Sequence, residues 1–262
     1  MKNLIILKIG GSVITDKLSE TPKINLENIE RISKEIATAY QKGKNPLIIV
    51  HGGGSYGHGI VKKTGIDKGI KTERQLKDFA ETQALQNELN CIVSRHLIDE
   101  GIPAIPCQAS ASAVMNSGRL DRMDISAIEG LLEIGMVPVL YGVPAYDIVQ
   151  KCSILSGDQI ASYLAVKLKA KRIIHATNVD GVFTSDPENT DAKLIPEINS
   201  ENIDRIKESL TGSTATDVTG GMLGKVSELN IRIESQIVNA LTPGNIVKAF
   251  SGEKIGTRIR LH

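Results

Sequence analysis

The sequence contains no tryptophan, and only three phenylalanines and five tyrosines among 262 residues. So few rings leave little with which to stack the bases of a single-stranded nucleic acid. Neither sign of charge is in excess: 31 Lys and Arg stand against 30 Asp and Glu, a formal net charge of +1. That balance lacks the basic footprint of a nucleic-acid-binding chain. There is no like-charge block or low-complexity tract. No apolar run approaches the roughly 20 residues that span a bilayer, and the apolar part of "MKNLIILKIGG" is too short for a secretory leader. The three cysteines, Cys91, Cys107 and Cys152, form neither a CxxC pair nor a metal-ligand spacing. Isolated thiols in a reducing cytoplasm are the expectation.

What is present is enough apolar residue, 41%, to build a substantial core as one large domain or two closely joined lobes. The run Asn3–Lys8 reads as a strand, and Leu26–Tyr40 as an amphipathic helix with Ile29, Ile32, Ile36 and Ala39 on one face. Leu47–Val50 reads as a buried strand. A helix-rich stretch follows from Thr72 to Glu100, then the strands "AIPC" and "MVPVLYG" with a helix over "RLDRMDISAIEGLLEIG" between them, capped near Asp124. Beyond residue 150, "SILSGDQIASYLAVKLKA" reads as loop then helix, and "KRIIHATNVDGVF" as strand then turn. The pieces around "IVNAL", "IVKAFSG" and "GTRIRL" read as short strands. Alternating strands and helices, with apolar strands that lack strict alternation, predict an α/β fold with a parallel sheet covered on both faces. A lobe boundary near residue 150, with no linker to mark it, predicts lobes 1–150 and 151–262 sharing one sheet.

Glycine is concentrated at strand and helix ends. "HGGGSYGHG", His51–Gly59, carries five glycines and two histidines; "KIGGS" (Lys8–Ser12) and "GGMLGK" (Gly220–Lys225) are further glycine turns, each with a lysine. Free backbone N–H groups in such turns can cradle phosphate oxygens, and a lysine adds a mobile cation. GxGxxG can be forced onto Gly52, Gly54 and Gly57, but no strand precedes Asp67 or Glu73, the acidic residues near the offset that a dinucleotide site needs. There is no GxxxxGK[ST] motif. Phosphate chemistry on another architecture is the remaining reading, against that of three unrelated tight turns.

These segments, with "LKIGGSVITDK", "IPAIPCQASA", "GMVPVLYG", "SILSGDQIASYLA", "ATNVDGVFTSDP", "DVTGGMLGK" and "NALTPGNIVKAFSGEKIGTRI", resemble the amino acid kinase superfamily. Within it they look most like the isopentenyl phosphate kinases of archaeal type. The segments keep the family's order over nearly the whole chain. The resemblance implies a three-layer αβα sandwich with a mainly parallel open sheet, an acceptor-binding N-terminal lobe, an ATP-binding C-terminal lobe, and a soluble homodimer. It implies transfer of the γ-phosphoryl of ATP to isopentenyl phosphate, with Mg²⁺ carried on the nucleotide and no dedicated metal ligands. By the same resemblance Lys8 contacts the transferring phosphoryl, beside Gly10, Gly11 and Ser12. Lys17 stabilises charge at the transfer point. Gly53, Gly54 and His58 hold the acceptor phosphate; Gly54 also borders the nucleotide. Gly157 lines the acceptor side and Asp158 positions the lysines. Asp180, Gly181, Gly221 and Lys225 are nucleotide-side residues. In relatives Asp often follows the "VPVxxG" strand, whereas here Gly142 is followed by Val143, and the hairpin expected in "VPAYDIVQKC" looks irregular.

A phosphate acceptor is already a nucleophile, so the chemistry asks for alignment and charge stabilisation, not a strong base. His58 is therefore expected to clamp the acceptor phosphate, and His51 to order the glycine turn. An isoprenoid tail needs apolar walls, for which the helix carrying Phe79, Leu85, Leu89, Ile92 and Val93 is a candidate. Competing readings are a kinase of the same fold for another phosphate or phosphonate such as fosfomycin, and a non-enzymatic nucleotide- or small-molecule-binding sensor. Such regulators usually append a ligand-binding domain, for which the chain leaves no room.

Overall fold

The computed structural model describes residues 2–16, 19, 21–187, 189–211, 221–229 and 232–261. The strands, in chain order, are β1 (Ile5–Ile9), β2 (Leu47–His51), β3 (Ala104–Pro106), β4 (Ala113–Asn116), β5 (Arg119–Met123), β6 (Val137–Tyr141), β7 (Val143–Asp147), β8 (Lys151–Leu155), β9 (Arg172–Thr177), β10 (Val182–Phe183), β11 (Leu194–Ile195), β12 (Glu197–Asn199), β13 (Glu234–Asn239) and β14 (Thr257–Arg260). The helices are α1 (Gly11–Ile14), α2 (Leu26–Gly43), α3 (His58–Thr64), α4 (Glu73–Asp99), α5 (Ser126–Glu133), α6 (Gly157–Lys167), α7 (Ile203–Thr211), α8 (Gly221–Glu228) and α9 (Asn245–Ser251).

Eight strands form the central sheet in the order β12-β14-β13-β9-β1-β2-β6-β3. Every neighbouring pair is parallel except β13 with β14. The sheet runs without a break through β1 and β9, joining the two halves of the chain. Strand alternation sorts β1 between two cores. Ile5, Leu7 and Ile9 pack with Ile29, Ile32 and Ile36 of α2 and Leu89, Val93 and Leu97 of α4. Ile6 packs on the other face with Ile160 and Leu164 of α6. This is the expected αβα sandwich.

A second sheet, β5-β4-β7-β8, flanks the first. It corrects two readings. Arg119–Met123 is not helix but strand: Ser117 and Gly118 both have positive φ, 50° and 81°, as a two-residue hairpin turn demands. The helix behind it begins only at Ser126, where Asp124 Oδ1 accepts from the Ser126 N–H at 2.9 Å. The segment from Val143 to Leu155 is a regular antiparallel hairpin. Buried Asp147 organises it, accepting from the N–H groups of Ser117, Gly118, Val149 and Gln150 and from Ser153 Oγ. "IVKAFSG" is likewise helix, α9, bounded by Gly244 and Gly252, both with φ of 84°.

Candidate active site

Because β1 and β9 pair in parallel with Lys8 opposite His175, both side chains leave the sheet on the α6 face. Helix α6 begins there. Its N-cap, Ser156, accepts from the Gln159 N–H at 3.1 Å, and Asp158 lies in the first turn. Lys8 Nζ is 3.1 Å from both Asp158 carboxylate oxygens. Lys225, brought in by α8, has its Nζ 3.4 and 3.3 Å from the same two atoms. His175 Nδ1 is 3.2 Å from Asp158 Oδ1, though neither ring nitrogen makes a well-directed hydrogen bond among the described residues. Helix α8 is tied down by Arg119 of β5, which pairs with Glu228, and by Ser162 Oγ donating to the Glu228 carbonyl.

All four groups are buried, and burial acts on the protonation of Lys8, Asp158 and His175. It draws the Lys8 ammonium down to about 8, against the pull of Asp158, and Lys225 lowers it further. Burial would raise Asp158, but Lys225, Lys8 and His175 overcome it and hold the carboxyl well below its ordinary range. Burial also lowers His175, to about 4. One carboxylate thus faces two lysines and a neutral imidazole. The group carries surplus positive charge in a place of weak screening, where an anion is attracted strongly.

The turns after β1 and β2 meet beside this group. A Cβ on Gly11 would overlap the backbone of Gly54, and Gly54 itself has φ +51° with no room for a Cβ beside Thr15. The two glycine turns are therefore packed backbone against backbone. Gly11 and Ser12 open α1 and Gly53 and Gly54 enter a short 3₁₀ turn, so their N–H groups have no partner within those helices. His51 leaves β2 on the opposite face from Lys8. Its Nε2 is 3.1 Å from Asn90 Oδ1 and its Nδ1 3.0 Å from the Gly52 carbonyl oxygen, and its ring stacks on Tyr141. Burial lowers its pKa. It holds the glycine turn, as expected.

One cavity of about 960 Å³ collects these parts at the carboxyl ends of the sheet strands, where open α/β sheets place ligands. Its wall includes Lys8, Gly10, Gly11, Ser12, Gly53, Gly54, His58, Gly157, Asp158, Gly181 and Lys225. Asp180 is not on that wall; its carboxylate accepts from Asn239 Nδ2 at 2.9 Å. Gly221 opens α8, whose Met222, Leu223 and Lys225 reach the cavity. Lys17 lies outside the described residues. The α4 residues on the wall are Thr82 and Gln86, whereas Leu89 and Val93 belong to the core under the sheet and Phe79 to a small cluster with Val61 and Ile66. Apolar wall comes instead from Val61, Val143, Pro144 and Ile154. Sequence reasoning missed these, and it missed His175. The signal for His175 was a polar residue interrupting the apolar strand "IIHAT", as Lys8 interrupts "IILKI", since a buried polar group needs a reason.

Sheet order, paired glycine turns and a buried lysine–aspartate–lysine group define a phosphoryl-transfer fold. A profile of the Amino acid kinase family matches residues 3–238, and the chain belongs to that family. Within it, the chain is 45% identical to the isopentenyl phosphate kinase of Methanothermobacter thermautotrophicus over 98% of both chains. It is 39% identical to that of Methanocaldococcus jannaschii, again over 98% of both. A solved isopentenyl phosphate kinase structure superposes with a TM-score of 0.80 at 40% identity, over 98% of this chain and 100% of the other.

Proposed function

We propose that the protein transfers the γ-phosphoryl of ATP to isopentenyl phosphate, giving isopentenyl diphosphate and ADP. The observation that carries this reading is that one cavity brings together three chemistries. Its wall holds the cationic Lys8–Asp158–Lys225 group, the glycine turn ending in His58, and the apolar residues Val61, Val143, Pro144 and Ile154.

In the reaction an oxygen of the acceptor phosphate attacks the γ-phosphorus. The new P–O bond forms as the bond to the ADP oxygen breaks, and no proton need be removed. Lys8 and Lys225 stabilise the charge that gathers on the transferring group. Asp158 holds the two ammonium groups together. The N–H groups of Gly11 and Ser12 border the phosphoryl in transit, with Gly10, whose own N–H donates to the Ala176 carbonyl, holding the loop beside them. Gly53, Gly54 and His58 clamp the acceptor, with Gly157 beside them. Lys17 supplies a further cation, and Asp180, Gly181 and Gly221 border the nucleotide. Residues 1–150 would chiefly hold the acceptor and 151–262 the nucleotide.

No cluster of three carboxylate, imidazole or thiol groups able to hold a metal occurs among the described residues, and Asp158 is occupied by its lysines. Mg²⁺ therefore fits here as a companion of the ATP phosphates. No described helix is long and apolar enough to cross a membrane. A cytoplasmic homodimer serving isoprene synthesis by the mevalonate route completes the proposal.

The deciding experiment is ATP turnover with isopentenyl, dimethylallyl and geranyl phosphates and fosfomycin. Isopentenyl phosphate should give the highest kcat/KM, dimethylallyl phosphate measurable turnover, and the ten-carbon phosphate poor turnover. Preference for fosfomycin, or turnover of none of them, overturns the assignment.

A further inference from the structure

The side chain of Gln86 is 3% exposed, lines the cavity and belongs to neither of the charged and apolar walls described above. It leaves α4 toward the glycine turn. A Cβ on Gly53 or on Gly57 would overlap its Nε2, so the carboxamide lies directly on the turn that precedes His58. The two glycines are needed there because the amide fills the space their side chains would occupy. Its Oε1 is buried with no hydrogen-bond partner among the described residues. A buried carbonyl oxygen left without a partner costs roughly 1–3 kcal/mol, a cost that an apolar side chain of the same length would avoid. A phosphate oxygen, itself an acceptor, does not relieve it, so what the carboxamide has to offer an anion is its Nε2–H₂ donor. Its neighbour one turn earlier, Thr82, is satisfied within the helix, donating to the Asp78 carbonyl at 2.8 Å.

We infer that Gln86 is a further acceptor-binding residue: its carboxamide, seated on the Gly53–Gly57 turn, donates Nε2–H to an oxygen of the acceptor phosphate and so fixes that phosphate from the α4 side. The inference rests on the acceptor-side reading of the glycine turn. It adds a neutral donor from α4 to the glycine turn and His58, which line the same cavity. An amide is suited to that place. It donates to an anion without adding charge, so it orients the acceptor phosphate without drawing in the more highly charged nucleotide.

The test compares two near-isosteric variants by steady-state kinetics. Q86M keeps length and removes the donor; Q86E keeps shape and sets a carboxylate against the phosphate. The KM for isopentenyl phosphate should rise about tenfold or more in Q86M, as for loss of a hydrogen bond to a charged group, and about a hundredfold in Q86E. The KM for ATP should stay within about twofold and kcat should fall far less than acceptor affinity. A residue that only packs the turn would give the opposite ordering or none, because Glu fits the space as well as Gln does. Acceptor KM unchanged in both variants, or both substrates weakened together, overturns the proposal. A second measurement uses the unmodified protein: the side-chain amide resonances of Gln86 should shift on titration with inorganic phosphate and with isopentenyl phosphate. No shift with either also overturns it. If the unmodified protein fails to phosphorylate isopentenyl phosphate, the functional assignment falls, while the inorganic phosphate titration still decides the role of Gln86.

Discussion

The two faces of the strands at the centre of the sheet treat polar residues in different ways. On the α6 face, Lys8, Asp158, Lys225 and His175 form a buried group held by charge, with unequal numbers of each sign. On the α4 face, His51 is held by a hydrogen bond to Asn90 and by stacking on Tyr141, and Gln86 packs directly on the glycine turn, all without formal charge. The first is pre-set for an anion of high charge density. The second holds a backbone shape. In the proposed reaction the first region would stabilise charge on the nucleotide side and the second would define the geometry of the acceptor side, and the turns after β1 and β2, which pack against each other, lie between them.

The sharpest break of this contrast is Asp158→Ala. It leaves two lysines facing each other in a buried site, and removing one partner of a buried ion pair costs about 3–5 kcal/mol. Denaturant unfolding should show a loss of that order, and turnover should fall by about a thousandfold or more. Asp158→Ala with near-normal stability and turnover would mean that the lysines do not depend on it.

His58→Ala acts on the other region. A lost hydrogen bond to a charged group is worth about 1.5–3 kcal/mol, so the acceptor Kd measured by calorimetry should weaken by about 10–100-fold, with ATP binding little changed. Selective loss of ATP affinity would place His58 on the wrong side of the comparison.

The smallest expected effect is a pH dependence peculiar to the charged face. Lys8 is drawn down to about 8 by burial, so in the free enzyme it loses its proton as pH rises through about 8. The kcat/KM for ATP should decline across that range. Bound phosphates favour the ammonium, so the decline in kcat should come at higher pH. Coincident profiles would show that Lys8 titrates alike with and without ligand. A flat profile of kcat/KM to pH 9.5 would remove Lys8 from the group that titrates.

Much of this comparison was legible residue by residue but not face by face. β1, β2 and β6 are buried along their whole length on both sides, so their apolar runs carry no alternation that says where Lys8 or His51 points. The hairpin at Ser117-Gly118 was overlooked because "RLDRM" has enough helix-forming residues to merge with the helix behind it. The apolar face of α4 reads in sequence as a candidate tail wall, yet Leu89 and Val93 pack under the sheet and the cavity receives Thr82 and Gln86. A helix of 27 residues passes both a core and a cavity, and periodicity alone cannot divide it between them.

By itself the sequence determined the α/β class, the glycine turns and the lysines near them, because those depend on residue type and short-range spacing: apolar runs of strand length, backbone that needs glycine, cations beside it. The expectation that His58 and not His51 meets the acceptor phosphate came from the family resemblance. Only the tertiary structure decided that Lys8, Asp158, His175 and Lys225 form one buried group, since positions up to 217 residues apart are brought together by the parallel register of β1 with β9 and by the docking of α6 and α8. It alone decided that a glutamine from α4 closes the glycine turn, because which side chain fills the space above a glycine depends on how two distant elements pack.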